Sequence, residues 1–470
     1  MHRSRVRTRT PDSPRRGPPA VRDCPCRRTV EGSSVSERVG ELMPFEERSA
    51  FQLAPAMDSA AAPEWSGARW IGAVDLDRLS DHTRLQLLNH AGYDRARLLV
   101  RQGTAVRGFV DVEATGGMLE RAVLEEAVAG LPAVTPVAPG VSSTPSVTVV
   151  VCTRDRAALL RGALTAILDL GYPNFDVLVV DNAPRTAETA NMVRDEFDDP
   201  RMTLITEPAP GLSKARNAGL RRAQGDIVAF TDDDVVVDEA WLHEIAAGFD
   251  RMPGTACVTG LVPAGELRSP AQGYFDDRVS WSKSVAPKIY SLADPPKGLP
   301  KFPFCPGAFG TGANFALDRR TALSLGGFDN ALGVGTRTGG GEDIDMFTRV
   351  ILEGYSLVVQ PSAIAWHRHR GGLEELSAQA RGYGSGLGAW LTKILLNPHT
   401  ARLALARTPR VAWNFLQSAG TSRRPAAEPG LGHDSWDQQL AQVLRLELYS
   451  LARGPLNYLL ERWAGAAKTS

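Results

Sequence analysis

The chain of 470 residues lacks a long apolar run, an excess of charge of either sign and more than a few cysteines. Without a stretch of ~18 consecutive apolar residues, no transmembrane helix is expected. The 53 basic and 53 acidic side chains cancel, so the overall charge favours neither nucleic acid nor an anionic membrane as a partner. Five scattered cysteines do not make a disulfide framework, which suits a reducing cytoplasm.

Residues 1–60 are predicted to be a disordered basic tail, because their first half is rich in Arg and Pro. The pair Arg15 and Arg16 is not followed by an apolar segment, so it does not predict an export signal. Cys24 and Cys26 have no second pair of Cys or His ligands at zinc spacing. No zinc site is therefore predicted there.

A small α+β unit is predicted for residues 64–133. Residues 96–100 and 106–112 are strand-like runs joined by a short connection that contains Gly103, which indicates a hairpin. Residues 119–129 are typical of a short helix. The unit contains no recognisable chemistry, so we expect it to dock on or support the rest of the chain.

Residues 146–370 alternate between strand-like and helix-like segments. Val147–Val151 is a β-branched run typical of a strand that is buried on both faces. Such alternation predicts an α/β domain with a mostly parallel sheet and right-handed crossovers. The predicted strands are 147–151, 175–180, 202–206, 226–230, 255–262 and 356–359, the helices between them are 157–170, 186–197, 213–224 and 239–250, and residues 263–312 are predicted to be irregular.

A short apolar strand, Ile227–Phe230, runs into the three carboxylates Asp232, Asp233 and Asp234. Adjacent carboxylates repel one another unless a cation neutralises them. Hard divalent ions such as Mg²⁺ bridge carboxylates to substrate phosphates, and open α/β sheets bind ligands at the carboxyl ends of their strands. We therefore predict a metal-assisted phosphate site, with a solvated acidic turn as the alternative.

Five segments in residues 146–370 resemble motifs of family 2 glycosyltransferases and follow one another in the same order. The resemblance implies a GT-A nucleotide-sugar-binding fold and non-processive, inverting transfer from a nucleotide-sugar donor. It implies Mg²⁺ or Mn²⁺ as the cofactor, and a glycan, a lipid-linked molecule or a small molecule as the acceptor, with no nucleic acid as partner. The segments are Cys152–Arg156, Val179–Asn182, Gly211–Gly219, Asp232–Asp234 and Gly341–Asp345.

The chain departs from this family at two places. Arg154 stands where the first motif carries an aromatic residue, so stacking on the donor base and the family's donor preference are not carried over. The Gln-x-x-Arg-Trp motif of processive synthases is absent, because Glu461-Arg462-Trp463 lacks the Gln. A processive polysaccharide synthase is therefore disfavoured.

On the donor side, the resemblance implies that Asp234 ligates the metal directly and that Asp232 meets the metal shell or the donor ribose. His367 follows a strand and resembles the histidine that completes the metal shell in family members, with His369 as the alternative. Asp181 could instead be a strand-end turn residue, Lys214 and Arg216 could decorate a helix face, and Asp233 could be a solvated neighbour. The implied donor-binding residues are Thr153, Asp155, Asp181, Lys214, Arg216, Asp232 and Asp233.

On the acceptor side, the acids Glu342, Asp343 and Asp345 follow three glycines that allow close approach of a ligand. Acids at a helix start can also serve only to complement the helix dipole. An acceptor hydroxyl must lose a proton, and a carboxylate within reach is the usual base. The family motif implies Asp343 as that base, with Glu342 orienting the acceptor.

Residues 371–470 are predicted to be helical. Residues 436–463 mix leucines with charged residues, and Gly454-Pro455 predicts a break into two helices. The charges are of both signs, so we expect a soluble enzyme whose C-terminal helices pack on the catalytic domain. Peripheral contact with the inner face of the membrane is the alternative.

Two other functions compete with glycosyl transfer. Asp232-x-Asp234-x-Val236 after an apolar strand also fits the nucleophile motif of haloacid-dehalogenase phosphatases, but three strand–helix units precede it here. An inactive sugar- or nucleotide-binding module is the second alternative, although it would be expected to lose its metal or base acids. This chain retains both acidic clusters.

Overall fold

The computed structural model describes residues 50–59, 61–79, 82–133, 144–279, 281–407 and 433–469. Most of the predicted tail, with Cys24 and Cys26, lies outside these residues. The last part of that segment contains a short strand at Phe51–Leu53. Within the described ranges, no helix has both the length and the apolar character that crossing a membrane requires.

The N-terminal part contains two three-stranded sheets, ordered β1-β3-β6 and β2-β4-β5. The hairpin predicted around Gly103 is confirmed as the antiparallel pair β4–β5. The predicted helix begins at Arg121, because the residues before it form β6. The elements are β1 (Phe51–Leu53), β2 (Trp70–Asp75), β3 (Arg84–Leu87), β4 (Arg95–Gln102), β5 (Ala105–Glu113), β6 (Met118–Glu120) and α1 (Arg121–Ala129).

The central part alternates strands and helices, as the sequence pattern predicts. Its first half consists of β7 (Val147–Thr153), α2 (Ala157–Leu168), β8 (Phe175–Asn182), α3 (Glu188–Glu196), β9 (Met202–Glu207), α4 (Leu212–Arg222) and β10 (Ile227–Asp232). Its second half consists of β11 (Val235–Val237), α5 (Trp241–Asp250), β12 (Thr255–Leu261), α6 (Pro270–Arg278), β13 (Lys288–Tyr290), β14 (Asn314–Asp318), α7 (Arg319–Ser324), α8 (Glu342–Leu352) and β15 (Ser356–His367).

These strands form one sheet in the order β11-β15-β12-β14-β10-β7-β8-β9, with β13 also paired to β15. The α/β class is confirmed, and β10, β7, β8 and β9 are parallel neighbours. The other half is mixed, since β14 is antiparallel to both β10 and β12. Asp232 pairs with Cys152 and Thr153 with Asp181, so the ends of three strands meet at one edge.

Both faces of this sheet are covered. Val149 and Val151 of β7 pack into one apolar cluster with α2 and α5, whereas Val150 between them packs into another with α4 and α8. This alternation is the period of two of a strand, and burial of each such side chain contributes roughly 1.5–3 kcal/mol. The buried sheet fixes where its strand ends, and the polar residues on them, are placed.

The C-terminal helices α9 (Leu373–Leu396) and α10 (His433–Thr469) pack closely together. The predicted break at Gly454-Pro455 is wrong, because α10 continues through Pro455. Pro455 cannot donate to the Leu451 carbonyl, but that oxygen lies 2.2 Å from where a Cβ of Gly388 would be. The backbone of α9 at Gly388 therefore lies close to the carbonyl that Pro455 leaves without its usual hydrogen bond.

Candidate active site

The acidic turn between β10 and β11 is held by cationic and hydroxyl donors of the first βα connection. Thr153 Oγ1 donates to Asp233 Oδ2 at 2.7 Å, and Arg156 donates to both Asp233 and Asp234. Asp233 is only 3% exposed, so it is not a solvated neighbour. Burial raises the pKa of Asp233 to about 7, against the attraction of Arg156.

Asp232, Asp234 and His367 form a cluster whose nearest oxygen and nitrogen atoms all lie within 4.8 Å of one another. The short strand β11 creates it, because Val235 pairs antiparallel with His367 and brings the imidazole beside Asp234. His367 Nε2 lies 3.3 Å from Asp234 Oδ1. Burial alone would raise the pKa of Asp234, but His367 and Arg156 hold it well below its usual value.

His369, the alternative ligand, lies behind His367 and outside this cluster. Its Nδ1 is 3.2 Å from His367 Nδ1, and its ring packs edge-on against Phe275. His369 Nε2 faces Asp276 Oδ1 at 3.8 Å. The structure therefore favours His367 as the ligand, because its Nε2 faces Asp234 whereas that of His369 faces Asp276.

Arg216 joins the acidic turn to the helix that carries the predicted base. Its guanidinium is buried, with Nη1 donating to Glu342 Oε1 at 2.9 Å and Nη2 donating to the Gly312 carbonyl at 2.9 Å. The same Nη2 lies 3.5 Å from Asp232 Oδ1. Arg216 therefore does not lie on an exposed helix face, and its phosphate contact stays a prediction.

The helix start at Glu342 separates the two acids that follow Gly341. Glu342 is buried beside Arg216, and burial together with the charge of Asp343 raises its pKa to about 7. Asp343 is half-buried and accepts hydrogen bonds from the Gly312 amide at 2.7 Å and the Ile344 amide at 2.8 Å. Of the two, Asp343 is the carboxylate that remains accessible.

Two predicted donor residues lie at the ends of β7 and β8. Asp181 is buried, and its Oδ1 has no hydrogen-bond partner among the residues that the structure describes. Burial and the charge of Asp155 raise the pKa of Asp181 to about 6. Asp155 itself accepts from the Arg185 amide and side chain, at 2.8 and 2.7 Å, so it shapes the loop as the structure stands.

Lys214 lies near the start of α4, where its Nζ donates to the Pro210 carbonyl at 3.0 Å. That bond is exposed, so a phosphate role for Lys214 stays a prediction. Sequence reasoning missed Arg156, which contacts Asp233 and Asp234. Its signal was its place as the last residue of the first motif. Arg370, which follows His369 in the chain, also approaches Asp234, at 3.5 Å.

The glycines before α8 contact α9. A Cβ on Gly386 would lie 2.6 Å from the Gly340 carbonyl carbon, and one on Gly341 would lie 2.7 Å from the Gly386 carbonyl oxygen. Gly341 also has a φ of 96°, which favours glycine. The acid helix therefore begins on a backbone-to-backbone contact with α9.

Comparison with known proteins relates the chain to one family. Residues 148–320 match the family described as Glycosyl transferase family 2. The chain is 26% identical over 278 residues to the pre-mycofactocin glycosyltransferase of Mycobacterium tuberculosis, covering 58% of this chain and 53% of that protein. It is 30% identical over 202 residues to the succinoglycan biosynthesis protein ExoM of Rhizobium meliloti, covering 40% of this chain and 59% of that protein. The chain spans less than two thirds of the length of these relatives.

Two solved structures show a distant likeness. The mannosyltransferase PcManGT from Pyrobaculum calidifontis, in complex with GDP-Man and Mn²⁺, aligns with a TM-score of 0.43 and 22% identity over 70% of this chain and 89% of that one. GalNAc-T7 with UDP, GalNAc and Mn²⁺ aligns with a TM-score of 0.38 and 15% identity over 52% of this chain and 51% of that one. Both scores are low, so the family relation rests on the sequence match.

Proposed function

Residues 148–320 of this chain form a family 2 glycosyltransferase domain, and on this premise we propose that the chain is a metal-dependent, inverting glycosyltransferase. It would move a sugar from a nucleoside-diphosphate donor to an acceptor hydroxyl by single displacement. The observation that carries the proposal is the cluster Asp232, Asp234 and His367, connected through buried Arg216 to the acids that begin α8.

The residues of the cluster fit a divalent cation. Two carboxylates and one imidazole, with donor atoms within 4.8 Å of one another, suit Mg²⁺ or Mn²⁺, and the imidazole favours Mn²⁺ over Mg²⁺. A bound metal would act as a Lewis acid that offsets the charge of the leaving diphosphate. Arg370 lies 3.5 Å from Asp234, where its charge would also stabilise that leaving group.

The donor base and ribose are assigned to the edge where β7 and β8 end. The unpaired Oδ1 of buried Asp181 would accept a hydrogen bond from the donor base or ribose. Thr153, paired in register with Asp181, is already engaged by Asp233. Thr153 therefore orients the acidic turn, and Asp181 provides the recognition.

Asp343 is the proposed base. The Gly312 and Ile344 amides that bond its two oxygens fix the orientation of the carboxylate, and its remaining lone pairs can take the acceptor proton. Glu342 lies behind it and orients Arg216. Arg216 thus links the helix that carries the proposed base to the metal cluster, because it contacts both Glu342 and Asp232.

The C-terminal helices support a proposal about the acceptor. As expected, these helices pack on the catalytic domain, with Val443 buried beside Phe275 and Tyr458 Oη donating to Asp329 at 3.0 Å, but part of their apolar set remains exposed. Leu448 is 58% and Trp463 75% exposed. We propose that this apolar surface makes peripheral contact with a membrane and that the acceptor is lipid-linked.

The test is hydrolysis and transfer with a panel of nucleotide sugars in the presence and absence of Mn²⁺. We expect metal-dependent release of nucleoside diphosphate, and we expect Asp234→Ala to abolish it and to weaken metal-dependent nucleotide binding. Asp226→Asn is the control, because Asp226 directly precedes β10, at the end of the strand opposite to Asp232. Near-normal turnover by Asp234→Ala would contradict the metal site.

The same assay separates the alternative functions. A haloacid-dehalogenase phosphatase would release inorganic phosphate, and an inactive module would bind nucleoside diphosphate without turnover. Either result would overturn the proposal of glycosyl transfer.

A further inference from the structure

A line of buried polar side chains connects the N-terminal sheet β2-β4-β5 to the back of His367. Arg97 of β4 donates through Nη1 to Asp276 Oδ2 at 2.7 Å. Asp276 Oδ1 lies 3.8 Å from His369 Nε2, and His369 Nδ1 lies 3.2 Å from His367 Nδ1. The line ends where His367 Nε2 meets Asp234 at 3.3 Å.

The contact between the two imidazoles restricts their proton positions. One of two nitrogens 3.2 Å apart must carry a proton if they are to form a hydrogen bond. If His367 Nε2 gives its lone pair to a metal, the proton of His367 is on Nδ1, which then donates to His369 Nδ1. His369 must in turn carry its proton on Nε2, the atom that faces Asp276.

Asp276 is the charged group that faces this N–H. At 3.8 Å the contact is an electrostatic attraction, and His369 Nε2 has no hydrogen-bond partner among the described residues. Asp276 is buried on α6, whose Phe275 packs against the His369 ring at a centroid distance of 4.8 Å. Its charge is balanced by Arg97, and by Lys283 at 3.3 Å. Arg97 is fixed in turn by Asp111, its cross-strand neighbour on β5.

A second ion pair connects the same two parts of the chain without reaching the metal cluster. Arg101, also on β4, donates to Asp238 at 2.8 Å. Its side chain is 12% exposed and that of Asp238 9%, against 16% for Arg97 and 4% for Asp276. If the N-terminal sheet served only as a support, the two pairs would have equivalent effects.

We propose that Arg97 and Asp276 are positioning residues of the metal site, acting through His369 on the orientation and tautomer of His367. This gives the N-terminal sheet a part in metal binding, and it rests on the proposed metal site. Carboxylates and other groups that bond a ligating histidine raise its basicity and fix its ring, and their loss costs about 10–100-fold in metal affinity or activity.

The experiment is titration of the full chain with Mn²⁺ alone, following free Mn²⁺ by electron paramagnetic resonance. We expect Asp276→Asn to weaken binding by about 10–100-fold and Arg97→Met, one contact further from the metal, by about 10-fold. Arg101→Met is the matched control, with Mn²⁺ affinity equal to that of the unaltered chain. His369→Leu, which leaves both ion pairs to the N-terminal sheet intact, should weaken binding like Asp276→Asn.

The outcomes distinguish this inference from the metal site itself. If the unaltered chain binds no Mn²⁺, or if Asp234→Asn binds it equally well, the metal site and the inference both fail. If Asp234→Asn abolishes binding but the Arg97, Asp276 and His369 variants bind as the unaltered chain does, only the inference fails. Equal weakening by Arg101→Met and Arg97→Met, with equal loss of Tm, would also overturn it.

Discussion

Glu342 and Asp343 are neighbours in sequence but differ in environment. Glu342 is buried against Arg216, and its Oε2 has no hydrogen-bond partner within the described ranges. Asp343 is half-buried and bonded by two backbone amides. The buried acid is suited to orienting Arg216, and the accessible carboxylate is suited to receiving a proton.

Asp343→Asn should keep donor affinity and lower kcat by about 10²–10⁴, the usual scale for loss of a general base. The amide matches the carboxylate in size, and its one oxygen can still accept from the Gly312 amide, so the fold should survive the loss of the bond from the Ile344 amide. Steady-state kinetics with a nucleotide-binding measurement checks this. Collapse of donor binding with kcat preserved would place Asp343 in the donor site instead.

Asp181→Asn should stabilise the fold at neutral pH and weaken donor binding. Because folding raises the pKa of Asp181 to about 6, the folded state holds a proton that the unfolded state has lost between about pH 4 and 6. The free energy of unfolding therefore falls as pH rises through that window, by at most about 3 kcal/mol for this group. Asn does not ionise, so the Asp181→Asn variant should not lose this free energy of unfolding as pH rises.

The measurement for Asp181→Asn is Tm at pH 4 and pH 7.5, with the donor affinity measured at the higher pH. We expect a higher Tm than the unaltered chain at pH 7.5 and little difference at pH 4. An equal or lower Tm at pH 7.5 would show that the carboxylate has a stabilising partner in the folded state.

At the scale of elements, the local sequence pattern predicted the strands of the parallel half of the sheet. The β-branched run 147–151 and the strand before Asp232 are in β7 and β10 as expected. The sequence pattern did not show which strands pair when they lie far apart in the chain. The three residues of β11 are too few to show an alternation, yet their register against β15 puts His367 beside Asp234.

The C-terminal helices are a second case in which contacts between distant residues were not predicted from the sequence. Pro455 correctly signals a lost backbone hydrogen bond, but helix α10 continues through it, at a point where Gly388 lets α9 approach the Leu451 carbonyl. Likewise, Arg216 resembles a surface phosphate ligand in sequence, and only the approach of Glu342 and Gly312 shows that it is buried. In both cases, contacts with distant parts of the chain determine the environment of the residue, and these contacts cannot be read from the local sequence.

Gly386→Ala should lower both Tm and kcat. Its Cβ would lie 2.6 Å from the Gly340 carbonyl carbon, so α9 or the start of α8 must move, at a cost of about 1–3 kcal/mol. Gly465→Ala in α10 is the control, because nothing lies within 4 Å of its Cβ position and alanine favours a helix. Equal Tm and kcat for both variants would show that the contact with α9 does not position Asp343.

At the scale of the whole molecule, the family match and the α/β sheet agree with the predicted GT-A fold. The exposed apolar side chains of the C-terminal helices form stripes at helical spacing. On α9 four of the five recur every four residues and the fifth, Leu396, ends the helix, while those on α10 fall within one side of the helix. They are Tyr383, Leu387, Leu391, Leu395 and Leu396 on α9, and Leu444, Leu448, Tyr449, Leu456, Leu459, Leu460 and Trp463 on α10.

The full chain should co-sediment with phospholipid vesicles at physiological salt. Because the charges near the stripes are of both signs, binding should depend on apolar contact and change little with added salt. Replacing Leu448 and Trp463 together by Ser should reduce it. Val123→Ser, on exposed α1, is the control. Absence of vesicle binding by the unaltered chain would remove the support for a lipid-linked acceptor.

The pairing of β11 with β15 also sets an order of assembly during synthesis. Asp232 and Asp234 leave the ribosome long before His367, and β15 must insert between β11 and β12 to complete the sheet. Contacts between such distant segments form late in folding. A nascent or truncated chain that ends before residue 367 therefore lacks the proposed metal ligand His367, and under the proposed function it would not sequester metal and nucleotide sugar before the catalytic domain is whole.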